Sequence, residues 1–365
     1  MVVLNDLYYS MIMRYSKVIL TALLLMSVSK MALAQDDLDQ FIEAGLEDAN
    51  TMAGGYIKPF MQAFSVGLGS GWYNTAKTHK SAGFDLTVTL NAAYVPDDQL
   101  FYSSNYNNIE FDPNGPQQAP TMFGPEGQEF KPIYNYSYTE NGQDYSGSFE
   151  GPEGLGVKEN LGIQAVPVPM AQLGIGIIKN TDIKIRWTPT IDVGDHGEFK
   201  LIGIAVMHDV KQHIPGLKNM PFDLSALVGF TDIDLTYDLA AESPDLGPQS
   251  QGEVTTSNGI ASFDVNSIIV QGIISKQFSV LTLYGGLGVN IAKSELAMKG
   301  DYQVRDNTGF GVEREYSNPI MIETKNTTPN ITAGMRIKLA ILTLHADYTI
   351  QKNHVLSVGV GFSVR

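Results

Sequence analysis

Cysteine is absent from the 365 residues. Its absence excludes a disulfide scaffold, a lipidated N-terminal cysteine, thiol catalysis and any cysteine-based zinc centre. Charge is also scarce, at 17% of residues, against ~25% in ordinary globular domains. What charge there is leans acidic: 24 Lys and Arg against 39 Asp and Glu, a net of -15. A chain without a basic excess has no surface suited to phosphates, which argues against nucleic acid as a partner. No apolar run reaches the ~18–20 residues of a transmembrane helix. If this chain crosses a membrane, it crosses as strands. What is plentiful is glycine and aromatics, with 36 Gly, 17 Tyr and 16 Phe.

Residues 1–34 have the layout of a secretory signal. Arg14 and Lys17 precede the apolar run Val18–Met26, and the small-residue site Ala32-Leu33-Ala34 follows. That order of charged, apolar and small segments directs export, and the apolar part is too short to span a bilayer. The mature chain is expected to begin near Gln35.

After the signal, the periodicity is first helical and then that of strands. Leu38, Ile42, Leu46 and Met52 recur at helical spacing within Asp36–Ala53, with acidic residues at its start. Gly54-Gly55 and Pro59 read as its end. Residues 35–59 are thus expected to form a helical plug or cap, with Leu38, Ile42, Leu46 and Met52 as its packing face. From there the period becomes two. Phe84, Leu86, Val88 and Leu90 alternate with Asp85, Thr87, Thr89 and Asn91, and the chain ends with Leu356, Val358, Val360 and Phe362 against Ser357, Gly359, Gly361 and Ser363. Alternation over about ten residues is the mark of a transmembrane barrel, since soluble strands are usually half as long.

The fold class predicted is therefore all-β: a transmembrane antiparallel β-barrel over 60–365, with a short N-terminal α-helix. Strands are read near 61–73, 82–95, 99–111, 170–179, 182–190, 198–210, 221–239, 259–275, 279–295, 329–339, 342–351 and 355–364. Even parity makes this about twelve, or fourteen if the Tyr-rich stretch 130–150 adds a hairpin. Tight turns at Lys179-Asn180-Thr181, Ser275-Lys276-Gln277 and Leu339-Ala340-Ile341 fall at one end, and the long connection 112–169 at the other. The small inner residues of 61–73 and 355–364 suggest that the helix packs inside, against the seam where first and last strands meet.

Candidate functional residues follow from the faces. Asp85, Lys184, Arg186, Lys200, Asp264, Arg336, Lys338, His345 and Asp347 are read as lumen-facing, with Arg336 opposite His345 and diagonal to Asp347. Such groups either line a wet, selective lumen or neutralise one another in a filled one. The stretch 96–160 holds eleven acidic residues against Lys131 and Lys158, as either a solvated external loop or a binding face. Trp72, Tyr73, Tyr94, Trp187, Tyr237, Tyr284, Tyr348 and Phe362 fall near strand ends, as interfacial girdles do. No Ser-His arrangement for hydrolysis is recognisable. His208 and His213 would face opposite ways on a continuous strand and read as the start of a short turn. No catalytic, cofactor or metal site is expected.

Gly71-Trp72-Tyr73-Asn74-Thr75-Ala76-Lys77-Thr78-His79 leading into Gly83–Val88, with Pro120–Gly124 and Ile183–Pro189, resembles an uncharacterised family of Gram-negative outer-membrane proteins. More distantly, the helix-plus-barrel layout is similar to the long-chain fatty-acid and aromatic-hydrocarbon transporters. Those carry Asn-Pro-Phe near the N-terminus, where this chain has Lys58-Pro59-Phe60. The resemblance implies a Gram-negative outer-membrane location among lipid and lipopolysaccharide. It also implies passage of a small hydrophobic ligand, with a non-conducting surface-interaction barrel as the alternative. Intact-mass analysis of the outer-membrane protein is expected to show a chain beginning at Gln35 or Asp36; retention of Met13 to Ala34 would refute the signal.

Overall fold

A computed structural model describes residues 46–140, 143–194, 196–240, 254–305 and 313–364. The signal, Leu38 and Ile42 lie outside the described residues. Ten strands close into one barrel: β1 (Phe84–Tyr94), β2 (Ala165–Gly176), β3 (Thr181–Val193), β4 (Gly197–Asp209), β5 (Asp223–Asp238), β6 (Ile260–Phe278), β7 (Leu281–Lys299), β8 (Ile320–Leu339), β9 (Leu342–Ile350) and β10 (Val355–Val364). Each pairs antiparallel with its neighbours in sequence, and β1 closes on β10 with Phe84 opposite Val364.

Ten of the twelve expected strands are present, and the two lost ones correct the expected twelve to fourteen. Residues 61–73 are not a strand. They belong to a helix, α1 (Leu46–Gly69), and to the extended segment after it. Residues 99–111 lie in the long connection, where only Phe101–Tyr102 and Ile109–Phe111 are extended. The Tyr-rich hairpin does form, as Ile133–Glu140 with Gln143–Glu150, but it builds a separate sheet with Ile109–Phe111 outside the barrel.

The period-two pattern works as expected on the outer wall. Phe84, Leu86, Val88 and Leu90 are exposed, as are Leu356, Val358, Val360 and Phe362, while Asp85, Thr87, Thr89 and Asn91 between them are buried. On β7 the outward apolar residues run from Leu283 to Ile291. That is about the 9–11 residues that a tilted strand needs to cross a bilayer. Beyond them outward charge begins, where Lys293 pairs with Glu323 at 2.7 Å and Lys325 with Glu323 at 2.9 Å. Lys200 and Asp264, expected in the lumen, sit on this outer face too: Lys200 pairs with Glu198 at 3.0 Å and Asp264 with Lys299 at 3.7 Å. Strand parity decides both positions, because Phe199, Leu201, Phe263 and Val265 are the residues buried on either side.

The two ends differ. At one, Lys179 and Asn180 (φ 56° and 52°), Ser279 (55°) and Ala340 (54°) make tight turns with positive φ, of which the Lys179 and Ala340 turns match expectation. The third turn falls at Ser279, because β6 runs on to Phe278. At the other end are the long connections. The helix enters from there: Asn50 Nδ2 donates to the Pro319 carbonyl, and Asp48 accepts from the backbone N–H groups of Asn107 and Asn108.

Charge on the outer wall should be costly in proportion to depth. Val88→Arg is expected to destabilise the folded barrel by about 2–4 kcal/mol and Tyr94→Arg, near the strand end, by about 0–1 kcal/mol. Denaturant titration of protein folded into lipid vesicles checks the difference.

Candidate functional site

The lumen is filled by the chain's own residues 46–82. Pro59 does not end the helix; it sits inside it, and the Met122 N–H donates to the Tyr56 carbonyl just before it. Surrounding strands override the local breakers. In the half nearer the long connections the inner wall is apolar, with Val166, Val168, Leu201, Ile233, Phe263 and Val265 packed on Ile57, Met61, Val66 and Leu68 of the helix. Phe60, Phe64 and Phe263 form an aromatic cluster with centroids 5.6–5.8 Å apart. Gly67 is needed here, since a Cβ would lie 2.8 Å from Val168 Cγ2.

The helix lies against β8, β2, β7, β1, β6 and β5, not along the small face of β10 as expected. The glycines of β10 serve side chains instead: a Cβ at Gly359 would strike the His345 ring. Of the expected packing face, Met52 is buried and Leu46 half-buried.

A helix ending inside a closed barrel leaves carbonyls with no water to accept from. Arg186 of β3 answers this. It is fully buried, and its guanidinium donates to the carbonyls of Leu68 (2.8 Å) and Ser70 (2.7 Å) and to Gln172 Oε1 (3.2 Å). Its Cζ stacks 3.7 Å above the Trp72 ring. Placing a cation at the negative end of the helix dipole adds to the hydrogen bonds. Asn91 Nδ2 donates to the Gly67 carbonyl at 3.0 Å, and Gln172 Nε2 to the Trp72 carbonyl at 3.2 Å. Trp72, Tyr73 and Tyr284, expected at the membrane interface, are therefore interior residues. Tyr94, Trp187, Tyr348 and Phe362 do face outward, and Tyr237 is half-buried.

Below Arg186 the interior is polar. His79, in the segment after the helix, meets Asp182 twice, through its backbone N–H and through Nδ1, both at 2.9 Å. Its Nε2 lies 3.3 Å from Asp85, which lies 4.0 Å from Lys184. Across the lumen Arg336 is register partner to His345, as expected. Tyr284 donates to Asp347 at 2.8 Å. Lys338 is only half-buried, at the tight-turn end. Asp85, Asp182 and Asp347 are thus buried in the same interior as Lys184, Arg186 and Arg336. A cavity beside Tyr73, Gln271 and Asp347 measures about 10 Å³, the room of a single water. Asp182 was legible from its parity with Lys184 and Arg186, and His79 is, with His345, one of the two histidines that the sequence lets face the lumen; Trp72 was not legible, because nothing local shows that its segment lies inside.

At the long-connection end, the helix carries the loop sheet. Tyr102 donates to the Met52 carbonyl at 3.0 Å, and its ring lies on Gly55, where any Cβ would collide with it. Burial pushes the Tyr102 and Tyr134 phenols well above the usual range, so both are neutral. A cleft of about 540 Å³ opens among Tyr106, Asn108, Glu110, Asn135, Tyr136 and Ser148.

Replacing Arg186 tests the helix anchor. Arg186→Met takes the side-chain donor from the Leu68 carbonyl and leaves the Ser70 carbonyl only Asn91 Nδ2 at 3.3 Å, and is expected to cost roughly 2–4 kcal/mol; Arg186→Lys, which keeps charge without the fork, should cost less. The temperature at which the folded band is lost in heat-modifiable electrophoresis reports both.

No curated protein matches the chain. Among solved structures, it is similar to the translocator domain of autotransporter NalP from Neisseria meningitidis (12% identity, 83% of this chain and 93% of that one, TM-score 0.27). It is also similar to the CymD monoaromatic hydrocarbon channel (10% identity, 83% and 97%, TM-score 0.19). A third is Ail, the attachment invasion locus protein of Yersinia pestis (7% identity, 78% and 99%, TM-score 0.24). At these scores the likenesses carry no functional argument, and the barrel stands on its own strand pairing. Residues 13–364 match one family along nearly their whole length, and the chain belongs to it: the family of unknown function DUF6588.

Proposed function

We propose that this protein is a closed outer-membrane barrel of a Gram-negative bacterium that works through its external face, with no catalytic role. The observation that carries this reading is the filling of the lumen by residues 46–82, packed on an apolar wall above Arg186 and hydrogen-bonded to buried polar side chains below it. The even strand number and outward apolar band support a membrane barrel, and the tight turns belong to the periplasmic end by the usual rule. The long connections, with their acidic excess and the cleft beside Tyr106 and Tyr136, then form the outer surface among lipopolysaccharide and solvent. The helix acts as a post that ties this surface to the barrel wall.

A second reading is gated uptake of a small hydrophobic molecule. The apolar wall formed by Val168, Leu201 and Phe263 favours it, since that wall would line the upper lumen if the helix withdrew. Planar-bilayer recording separates the two. The wild-type protein is expected to carry no steady current, and Arg186→Met to conduct only if helix release opens a path. Steady wild-type conductance, or liposome swelling in a solution of small sugars, would overturn the closed-barrel reading.

A further inference from the structure

The cleft beside Tyr106 and Tyr136 belongs to a sheet with two unlike faces. Glu110 is register partner to Asn135 and Asn135 to Ser148, while Ser137 stands opposite Ser146 two residues along the hairpin. Register partners share a face and successive residues alternate between faces. These five side chains therefore stand together on one side. Ile109, Tyr134 and Phe149, of the other parity, are buried in one cluster with Met52 of α1. The frame is held from below. The Asp48 carboxylate accepts from the N–H groups of Asn107 and Asn108, both at 2.8 Å. Tyr106 meets Tyr134 edge-on with centroids 5.8 Å apart, and Gly147 leaves room for the Tyr136 ring, which any Cβ there would strike. A cleft on such a frame is shaped before a ligand arrives.

Its lining narrows the class of that ligand. Among the described residues that form it there is no Lys, Arg or His. The stretch 96–160 also carries eleven acidic residues against two basic ones, so phosphate, sulfate and carboxylate groups are repelled. Glu110 is the one charged side chain among the described lining residues, and no cluster of three or more acids or histidines gathers among the described residues to hold a cation. Sites for apolar molecules are lined mainly by hydrophobic side chains; an apolar ligand here would strip amides and hydroxyls of water and replace nothing. A neutral ligand that both donates and accepts at many points fits instead, because amides and hydroxyls do both and a carboxylate accepts strongly. No hydrogen bond to another described residue engages the side chains of Asn135, Ser146 or Ser148. The half-buried Tyr106 and Tyr136 supply carbon surface on which the C–H face of a sugar ring can rest.

We propose that this cleft binds a neutral saccharide, seated by hydrogen bonds from its hydroxyls to Glu110, Asn135 and Ser148 and by contact with the two tyrosines. Its volume of about 540 Å³ lies within the ~300–1,000 Å³ of small-ligand sites, room for a short stretch of sugar chain. The assignment rests on the external-face reading for the origin of the ligand, a saccharide outside the cell, either free or displayed as O-polysaccharide.

The test uses the full mature barrel in detergent, fluorescently labelled, on an array of immobilised hexasaccharides. Neutral chains of glucose, mannose, galactose and xylose stand beside chains of galacturonate and sulfated galactose. O-polysaccharide freed of lipid, from the cells that make the protein, forms a separate arm and distinguishes the two origins. Retention is expected on at least one neutral saccharide and on none of the acidic ones. N135A should weaken it about three- to tenfold. S148W, which fills the cleft from an exposed position, should abolish it. E110Q keeps an acceptor without the charge and should weaken binding less than about tenfold; complete loss would mark a ligand held by charge and overturn the neutral assignment. Heat-modifiable migration verifies that each variant is folded. Retention on no neutral saccharide, on acidic ones alone, or equally by S148W would overturn the site. Steady conductance with saccharide binding intact, or binding by purified protein but not by intact cells, would instead sink the external-face reading and leave the site standing.

Discussion

Everything inside this barrel is arranged around one buried guanidinium. Arg186 stands where α1 ends, and its fork donates to the buried carbonyls of Leu68, in the last turn, and Ser70, just past it. Above it, the helix buries apolar side chains against an apolar wall. Below it, an extended segment with backbone groups still to satisfy runs among carboxylates, imidazoles and amides. The change from an apolar to a polar inner face occurs where regular helix stops supplying its own hydrogen bonds. Trp72 completes the arrangement by covering the cation with an aromatic face rather than with solvent.

Residues 46–82 occupy the inside of this barrel along its length. The helix does not merely occupy space, because its N-terminal turns bind the outer loops through Asp48, Asn50 and Met52. Loop sheet, helix and wall therefore form one mechanical unit. Of the groups that a reading of faces alone could assign to a selective channel, Asp85 lies 4.0 Å from Lys184 and Arg336 stands opposite His345, while His79 sits between the carboxylates of Asp85 and Asp182.

The outer wall was legible from sequence, and the interior only in part. Lipid imposes strict alternation on every residue that meets it, so β1 and β10 could be read almost to the residue, and the pairing of Arg336 with His345 followed from one turn. The lumen imposes no such period. Ala63, Ser65, Gly67 and Gly69 look like the small inner face of a strand, yet they lie on a helix whose neighbours demand close approach. Pro59 reads as a stop because propensity is local, whereas the enclosing strands are not. Lys200 and Asp264 were misplaced for a related reason: near the helix the inner face is apolar, so polarity no longer marks the lumen. His208, near the end of β4, and His213 do not face opposite ways as expected but meet through a single 3₁₀ turn, a feature too short to leave a periodic trace.

The course of the chain before β1 has a consequence for assembly. Residue 46 lies at the long-connection end, and β1 begins at the opposite end, so the polypeptide runs the full length of its own barrel before the first strand starts. A finished cylinder would have to be threaded by that segment like a needle. A sheet still open between β1 and β10 can instead wrap a helix lying in its concave face and zip shut last. On this topology, pairing the β1–β10 seam after the plug is in place spares the chain that threading.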